Sequence, residues 1–240
     1  MGAAYDEQFF DQQARDSRSS AESVVPVIHE LFPGVRSVVD FGGGVGAWAA
    51  SWIRRGVDAL CVDGPYVPSE HRMVPAAAFV EADLRAPVDL KRRFDLVSCV
   101  EVIEHLTPQD GEALLDTISR HGDLVLFAAA VPGQGGTHHV NERWPSYWEE
   151  RLAARGYEVF DVVRPRIWSI DEANWWFRQN LLVYARDEAA LAAAAIPEMR
   201  PPLDLVHPAN FLRMVSLARA GRPNLRDAAR DLAKALLRRG

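Results

Sequence analysis

Two hundred and forty residues, 48% hydrophobic and 25% charged, are enough for one large domain with a buried core and argue against wholesale disorder. The apolar run Leu124–Val131 is far shorter than the roughly 18 residues of a spanning helix, no basic-then-apolar leader opens the chain, and two cysteines make no disulfide framework. A reduced, cytoplasmic protein without membrane insertion is expected, and its net charge of −6 divides into −12 over the first 210 residues and +6 over 211–240, a poor balance for nucleic-acid binding.

Ser19 and Ser20 read as the cap of a first helix reaching Leu31, with Pro26 suggesting a kink or a later start. Strand candidates Ser37–Phe41, Ala59–Val62, Phe79–Glu81, Phe94–Val100 and Leu124–Ala130 then alternate with helical stretches at Ala47–Arg55 and Gln109–Arg120. The alternation predicts an α/β architecture, a mostly parallel sheet with helices on both faces. A Gly-rich loop, Pro132–His139, and an aromatic segment, Trp144–Trp148, precede a helix ending at Arg155. Tyr157–Val163 and Phe177–Tyr184 complete seven strands, and a Pro-rich linker, Ile196–Leu203, leads to a C-terminal helical appendage at Pro208–Ala220 and Pro223–Arg239.

Val38–Ala47 is the most informative segment, an apolar strand running through Gly42, Gly43, Gly44 and Gly46 into a helix, so that backbone amides can approach a ligand. Gly42, Gly44 and Ala47 satisfy a dinucleotide pattern, and Asp63, 21 residues after Gly42, suits a ribose hydroxyl pair. NAD stays possible at this point, as does an NAD-dependent oxidoreductase. Asp40 shifts the balance: two residues before the first glycine, its charge repels a pyrophosphate and attracts the ammonium of a methionine-derived cofactor.

Here the chain resembles the class I S-adenosylmethionine-dependent methyltransferases. Their first motif is similar to Val38–Gly46, their second acid to Asp63 in Cys61-Val62-Asp63-Gly64, and their third motif to Ala82-Asp83-Leu84. Their fourth is similar to Phe94–Leu106, with Cys99, Val100 and Glu101 along the cofactor and Glu104-His105 opening the next helix. The resemblance spans about residues 20–185 and implies a Rossmann-like, doubly wound fold with S-adenosyl-L-methionine as cofactor. It further implies a methyltransferase domain over 36–185 and an N-terminal helical lid over 1–35 including Tyr5, Phe9 and Phe10; the linker and basic helices over 186–240 fall outside the resemblance and are read from composition.

The acceptor site belongs beyond the carboxyl ends of the strands, under the loop after Leu124–Ala130. That loop also resembles a bacterial subgroup, often of glycan or natural-product tailoring type, through Gly133-Gln134-Gly135-Gly136, His139-Val140-Asn141, Trp144-Pro145 and Tyr147-Trp148; His138 departs from it. His139 is a candidate general base, with His138 and Tyr147 as further catalytic candidates, and bracing of the lid by His139 is the alternative. Gln134, Asn141, Trp144, Trp148, Trp176 and Gln179 are candidate acceptor contacts. A His-His pair invites a metal, but no third ligand stands at a recognisable spacing, so none is expected. The expected reaction is methyl transfer to an oxygen, less readily a nitrogen, of a small acceptor; a catalytically silent scaffold is the other rival, and the basic tail could pair two subunits.

Overall fold

The computed structural model describes residues 7–196 and 204–220. Among these, seven strands form one sheet: β1 (Ser37–Phe41), β2 (Asp58–Asp63), β3 (Phe79–Glu81), β4 (Leu96–Val100), β5 (Leu124–Ala128), β6 (Glu158–Phe160) and β7 (Leu182–Ala185). Their order is β3-β2-β1-β4-β5-β7-β6, with β1 to β5 parallel and β7 antiparallel to both its neighbours. The order reverses between β1 and β4, where an open α/β sheet splays to admit a ligand.

Both faces of the sheet are covered, which is why its strands read as continuous apolar runs. Successive side chains point to opposite faces. Leu124, Leu126 and Ala128 of β5 therefore join one core, with Val38, Trp48 and Trp52, while Val125 and Phe127 join another, with Val39, Leu114 and Ile118. The first core is closed by α1 (Glu7–Leu31) and α2 (Ala47–Arg54), the second by α3 (Pro108–His121) and α4 (Pro145–Ala153). Thr107 caps α3 by accepting the Asp110 amide at 3.2 Å, with Pro108 fixing the first turn.

The first helix departs from expectation. It is already helical from Glu7, passes through Ser19 and Ser20, and continues through Pro26. The two serines are not caps because tertiary partners take their hydroxyls: Ser19 Oγ donates to the Glu172 carbonyl at 2.9 Å, and Ser20 Oγ accepts the Asn174 amide at 3.1 Å. Ala21, Val24, Val25 and Ile28 are fully buried, so this half of the expected lid is a core helix. Tyr5 lies outside the described residues, and the surroundings of Phe9 and Phe10 are likewise not described.

Two late segments also differ. The expected strand from Phe177 begins instead as α6 (Trp175–Asn180), after a single-turn α5 (Arg164–Ile167), and only β7 is extended. The compact unit holding the sheet continues through α7 (Asp187–Ala194) to residue 205, and a second unit, 206–240, contains α8 (Pro208–Ala220). Pro223–Arg239, the expected pairing helix, lies outside the described residues. Among the described residues no helix is long and apolar enough to cross a membrane.

Candidate active site

At the switch point, the chain leaves β1 at Gly42, whose amide donates to the Val62 carbonyl at 2.7 Å. Gly42 sits at φ 77°, and a Cβ on it would lie 2.4 Å from Val102, so the turn admits only glycine. A Cβ on Gly43 would lie 2.6 Å from Asp40 Oδ2 and 2.7 Å from Cys61 Sγ. The glycines thus bring backbone directly over Asp40, and Gly46, left-handed at φ 84°, turns the chain into α2.

Asp40 is 2% exposed, and its Oδ2 has no hydrogen-bond partner. Burial lifts its carboxyl to about 7, opposed by the Ser98 hydroxyl beside it and reinforced by the charge of Asp63. A buried carboxylate with an unused oxygen fits an ammonium group. Asp63 accepts the amides of Gly44 and Gly64, both at 2.6 Å, and the hydroxyl of Tyr66. Burial raises the Asp63 carboxyl against the pull of these bonds. Tyr66, 57% exposed at the rim, was invisible to motif reading, although it stands three residues after the acid.

Asp83 lies on the surface with its carboxylate bound by the Arg85 guanidinium at 2.7 Å. Leu84 is buried beside it. Cys99 is wholly buried in the core on the α3 side, leaving only its backbone for a ligand, and Val100 packs against the opposite core.

The end of β4 carries the second half of the site. Glu101 has φ 57°, unusual for a non-glycine residue and a mark of locally imposed backbone. Its carboxylate accepts Gln134 Nε2 at 2.6 Å and Asn180 Nδ2 at 3.0 Å; Asn180 also donates to Gln134 Oε1 at 2.9 Å and accepts from Gln179 at 2.9 Å. Gln134 and Gln179, expected as acceptor contacts, are therefore buried members of a network that ties the Gly-rich loop to β4 and α6. Burial raises Glu101 to about 7 despite the donors.

His139 stands under this loop. Its Nδ1 lies 2.9 Å from Glu142 Oε1, and Glu142 accepts the amides of Gly133 and Gly135, each at 2.7 Å. A Cβ on Gly136 would fall 2.3 Å from His139 Nε2, so the bare backbone there seats the ring. The His105 ring meets it edge-on, centroids 4.8 Å apart. Glu104 joins from below: its carbonyl accepts the amides of Val140 at 2.8 Å and Asn141 at 3.1 Å. The Glu104 side chain is fully buried with its carboxyl against that of Glu101, and burial, then the charge of Glu101, holds its carboxyl well above the usual range. Folding thus supplies His139 with the companions that linear spacing did not reveal.

The remaining candidates take other places. Trp148 is 2% exposed and packs its ring on Phe127 at 5.7 Å, a core position that gives an acceptor no wall. Asn141 is also 2% exposed, its Oδ1 accepting from Arg143 at 3.2 Å. Tyr147 is half-buried with the Arg151 guanidinium 3.2 Å above its ring. His138 is exposed at φ 60°, Trp144 is 38% exposed, and Trp176 is half-buried against Trp175.

Comparison with known proteins agrees with this geometry. A family model described as a methyltransferase domain matches residues 14–180, and the chain belongs to that family. Its fold is that of the class I S-adenosylmethionine-dependent methyltransferases. It is similar to the sugar N-methyltransferase KedS8 from Streptoalloteichus sp ATCC 53650, at 19% identity over 78% of this chain and 94% of that one, TM-score 0.59. CalS10, an amino pentose methyltransferase from Micromonospora echinaspora, aligns at 16% identity over 78% of this chain and 99% of its own, TM-score 0.57. The mitomycin 7-O-methyltransferase MmcR aligns at 14% identity over 73% and 54%, TM-score 0.51. No curated protein matches the chain in sequence. The family match sets aside the NAD-linked reading of the glycine loop.

Proposed function

We propose that this protein transfers a methyl group from S-adenosylmethionine to an oxygen of a small metabolite, natural product or sugar. When bound, the cofactor supplies a methyl already activated by its sulfonium. The residues fit it: Asp40 has a free, buried oxygen for the ammonium, Asp63 faces the ribose end, and Gly42–Gly44 leave room for close backbone approach. The chain's remaining task is to align the acceptor and remove its proton.

The observation that carries the oxygen assignment is the Glu142–His139 pair. With Nδ1–H donated to the carboxylate, Nε2 is an acceptor, and the same hydrogen bond fixes the ring's orientation for proton uptake. A hydroxyl needs such a base, whereas a neutral amine attacks without one. His139 is accordingly assigned the acceptor's proton, and Trp144 and Trp176 remain as walls for the acceptor. A sugar acceptor is the class to try first, since KedS8 is a sugar N-methyltransferase and CalS10 an amino pentose methyltransferase.

Calorimetry with S-adenosylhomocysteine tests the cofactor, and transfer of a labelled methyl to a panel of hydroxyl and amino sugars tests the reaction. An O-methyl product, with His139→Ala lowering turnover but not cofactor affinity, supports the reading. An N-methyl product replaces oxygen by nitrogen, near-normal turnover in His139→Ala removes the base, and cofactor binding without transfer to any acceptor favours the scaffold.

A further inference from the structure

Among the described residues, one group of side chains is arranged as a metal site: a carboxylate oxygen of Glu104 and ring nitrogens of His105 and His139 lie within 4.8 Å of one another. Ligand atoms each about 2.1 Å from one ion stand about 3.0–3.4 Å apart at octahedral or tetrahedral angles, so closing the site needs up to about 1.5 Å of movement. The Gly-rich loop carrying His139 can supply that. Glu104 is fully buried with its carboxyl against that of Glu101, and no side-chain amide or guanidinium meets its oxygens, whereas Glu101 is engaged by Gln134 and Asn180. Two buried carboxyl groups beside two imidazoles form a donor set that a cation would neutralise. With Nδ1 of His139 held by Glu142, Nε2 is the nitrogen left to bind, and this outer hydrogen bond fixes the ring as such partners do for ligating histidines. His105, exposed, leaves the group open to solvent on one side.

We propose that Glu104, His105 and His139 bind one divalent cation, of the Mn, Co, Ni or Zn type that two imidazoles and a carboxylate favour, with open positions toward the acceptor. What the cation does there rests on the methyltransferase reading; the site itself does not. The acceptor hydroxyl binds the cation and is acidified by it, and its proton passes to water. The oxygen's electron pair forms the new bond to the methyl carbon, and the sulfur–carbon bond breaks with its electrons returning to sulfur. In this loaded form the Nε2 lone pair of His139 is committed to the metal, so the acceptor's proton goes to water and His139 acts by holding the ion.

The test is titration of the full chain, first stripped with a chelator, with Mn²⁺ or Zn²⁺ alone, read by calorimetry and, for Mn²⁺, by electron paramagnetic resonance. One ion per chain is expected, with affinity falling at least tenfold in Glu104→Gln and in His105→Ala, each variant checked as folded by circular dichroism. Absence of binding at 100-fold excess of metal, or equal binding in both variants, overturns the site. Methyl transfer that is lost on chelation and restored by the same ion supports the assigned role, and transfer indifferent to chelation overturns it. If the chain binds neither cofactor nor product analogue yet takes up one ion through these residues, the methyltransferase reading fails and the site stands.

Discussion

Glu142 joins His139 to the glycines above it: one carboxylate oxygen lies 2.9 Å from His139 Nδ1, and the two oxygens accept the amides of Gly133 and Gly135. A single side chain thus sets the ring's tautomer and the loop's path. Glu142→Gln keeps the shape but can present an N–H where an acceptor is needed, so the ring loses its orientation. Turnover is expected to fall roughly 10- to 100-fold, in keeping with about 1.5–3 kcal/mol for a hydrogen bond to a charged group. Cofactor affinity, measured by calorimetry, should stay within about twofold, because the pair is remote in the chain from the Asp40–Gly46 turn.

Asp40 gives a prediction in pH. Its carboxyl is lifted from the ordinary 3.8 to about 7 by burial, so between these values the folded protein holds a proton that the unfolded chain has released. This contribution to stability is fully present below about 4 and is lost as pH rises through about 7. Thermal unfolding of the cofactor-free protein should therefore show a falling component across that window, absent in Asp40→Asn. Binding of the cofactor's ammonium favours the ionised form, so affinity for S-adenosylhomocysteine should rise with pH up to about 7. Asp40→Asn should weaken it roughly 10- to 100-fold at pH 8, and an affinity independent of both pH and this substitution would remove Asp40 from the ammonium site.

How much of this was legible in the chain follows from sequence distance. The Asp40–Gly46 turn and Asp63 are local features: a strand, tight glycines and an acid at the next strand end, each set by nearby backbone geometry. Glu104 and His105 carried no sign of a link to His139, which is 34 residues beyond His105 and meets them through the His105 ring and through the Val140 and Asn141 amides bonded to the Glu104 carbonyl. The start of the expected strand Phe177–Tyr184 is instead the end of the helix Trp175–Asn180, which lets Gln179 and Asn180 turn inward to Glu101 and Gln134. There tertiary partners overrode local propensity.

Gly43 is the position in the cofactor turn where an added methyl group would meet Asp40 itself. Its Cβ would meet Asp40 Oδ2 at 2.6 Å and Cys61 Sγ at 2.7 Å, two buried side chains with little room to retreat. Gly43→Ala is expected to cost about 1–3 kcal/mol of stability by overpacking and to abolish detectable S-adenosylhomocysteine binding. Urea unfolding checks the first and calorimetry the second.

The two tryptophans flanking Tyr147 should behave in opposite ways. Trp148 is 2% exposed, packed on Phe127 and backed by Leu152, so truncation leaves a cavity in the α3–α4 core. Trp148→Ala is expected to lose about 3–5 kcal/mol in urea unfolding. Any fall in its turnover should track the unfolded fraction. Trp144 is 38% exposed just before α4, and Trp144→Ala should change stability by no more than about 0.5 kcal/mol. If Trp144 walls the acceptor, KM rises in that variant while S-adenosylhomocysteine affinity holds. An unchanged KM would leave Trp176 as the aromatic side chain to test next, and a large stability loss in Trp144→Ala would contradict its exposed placement.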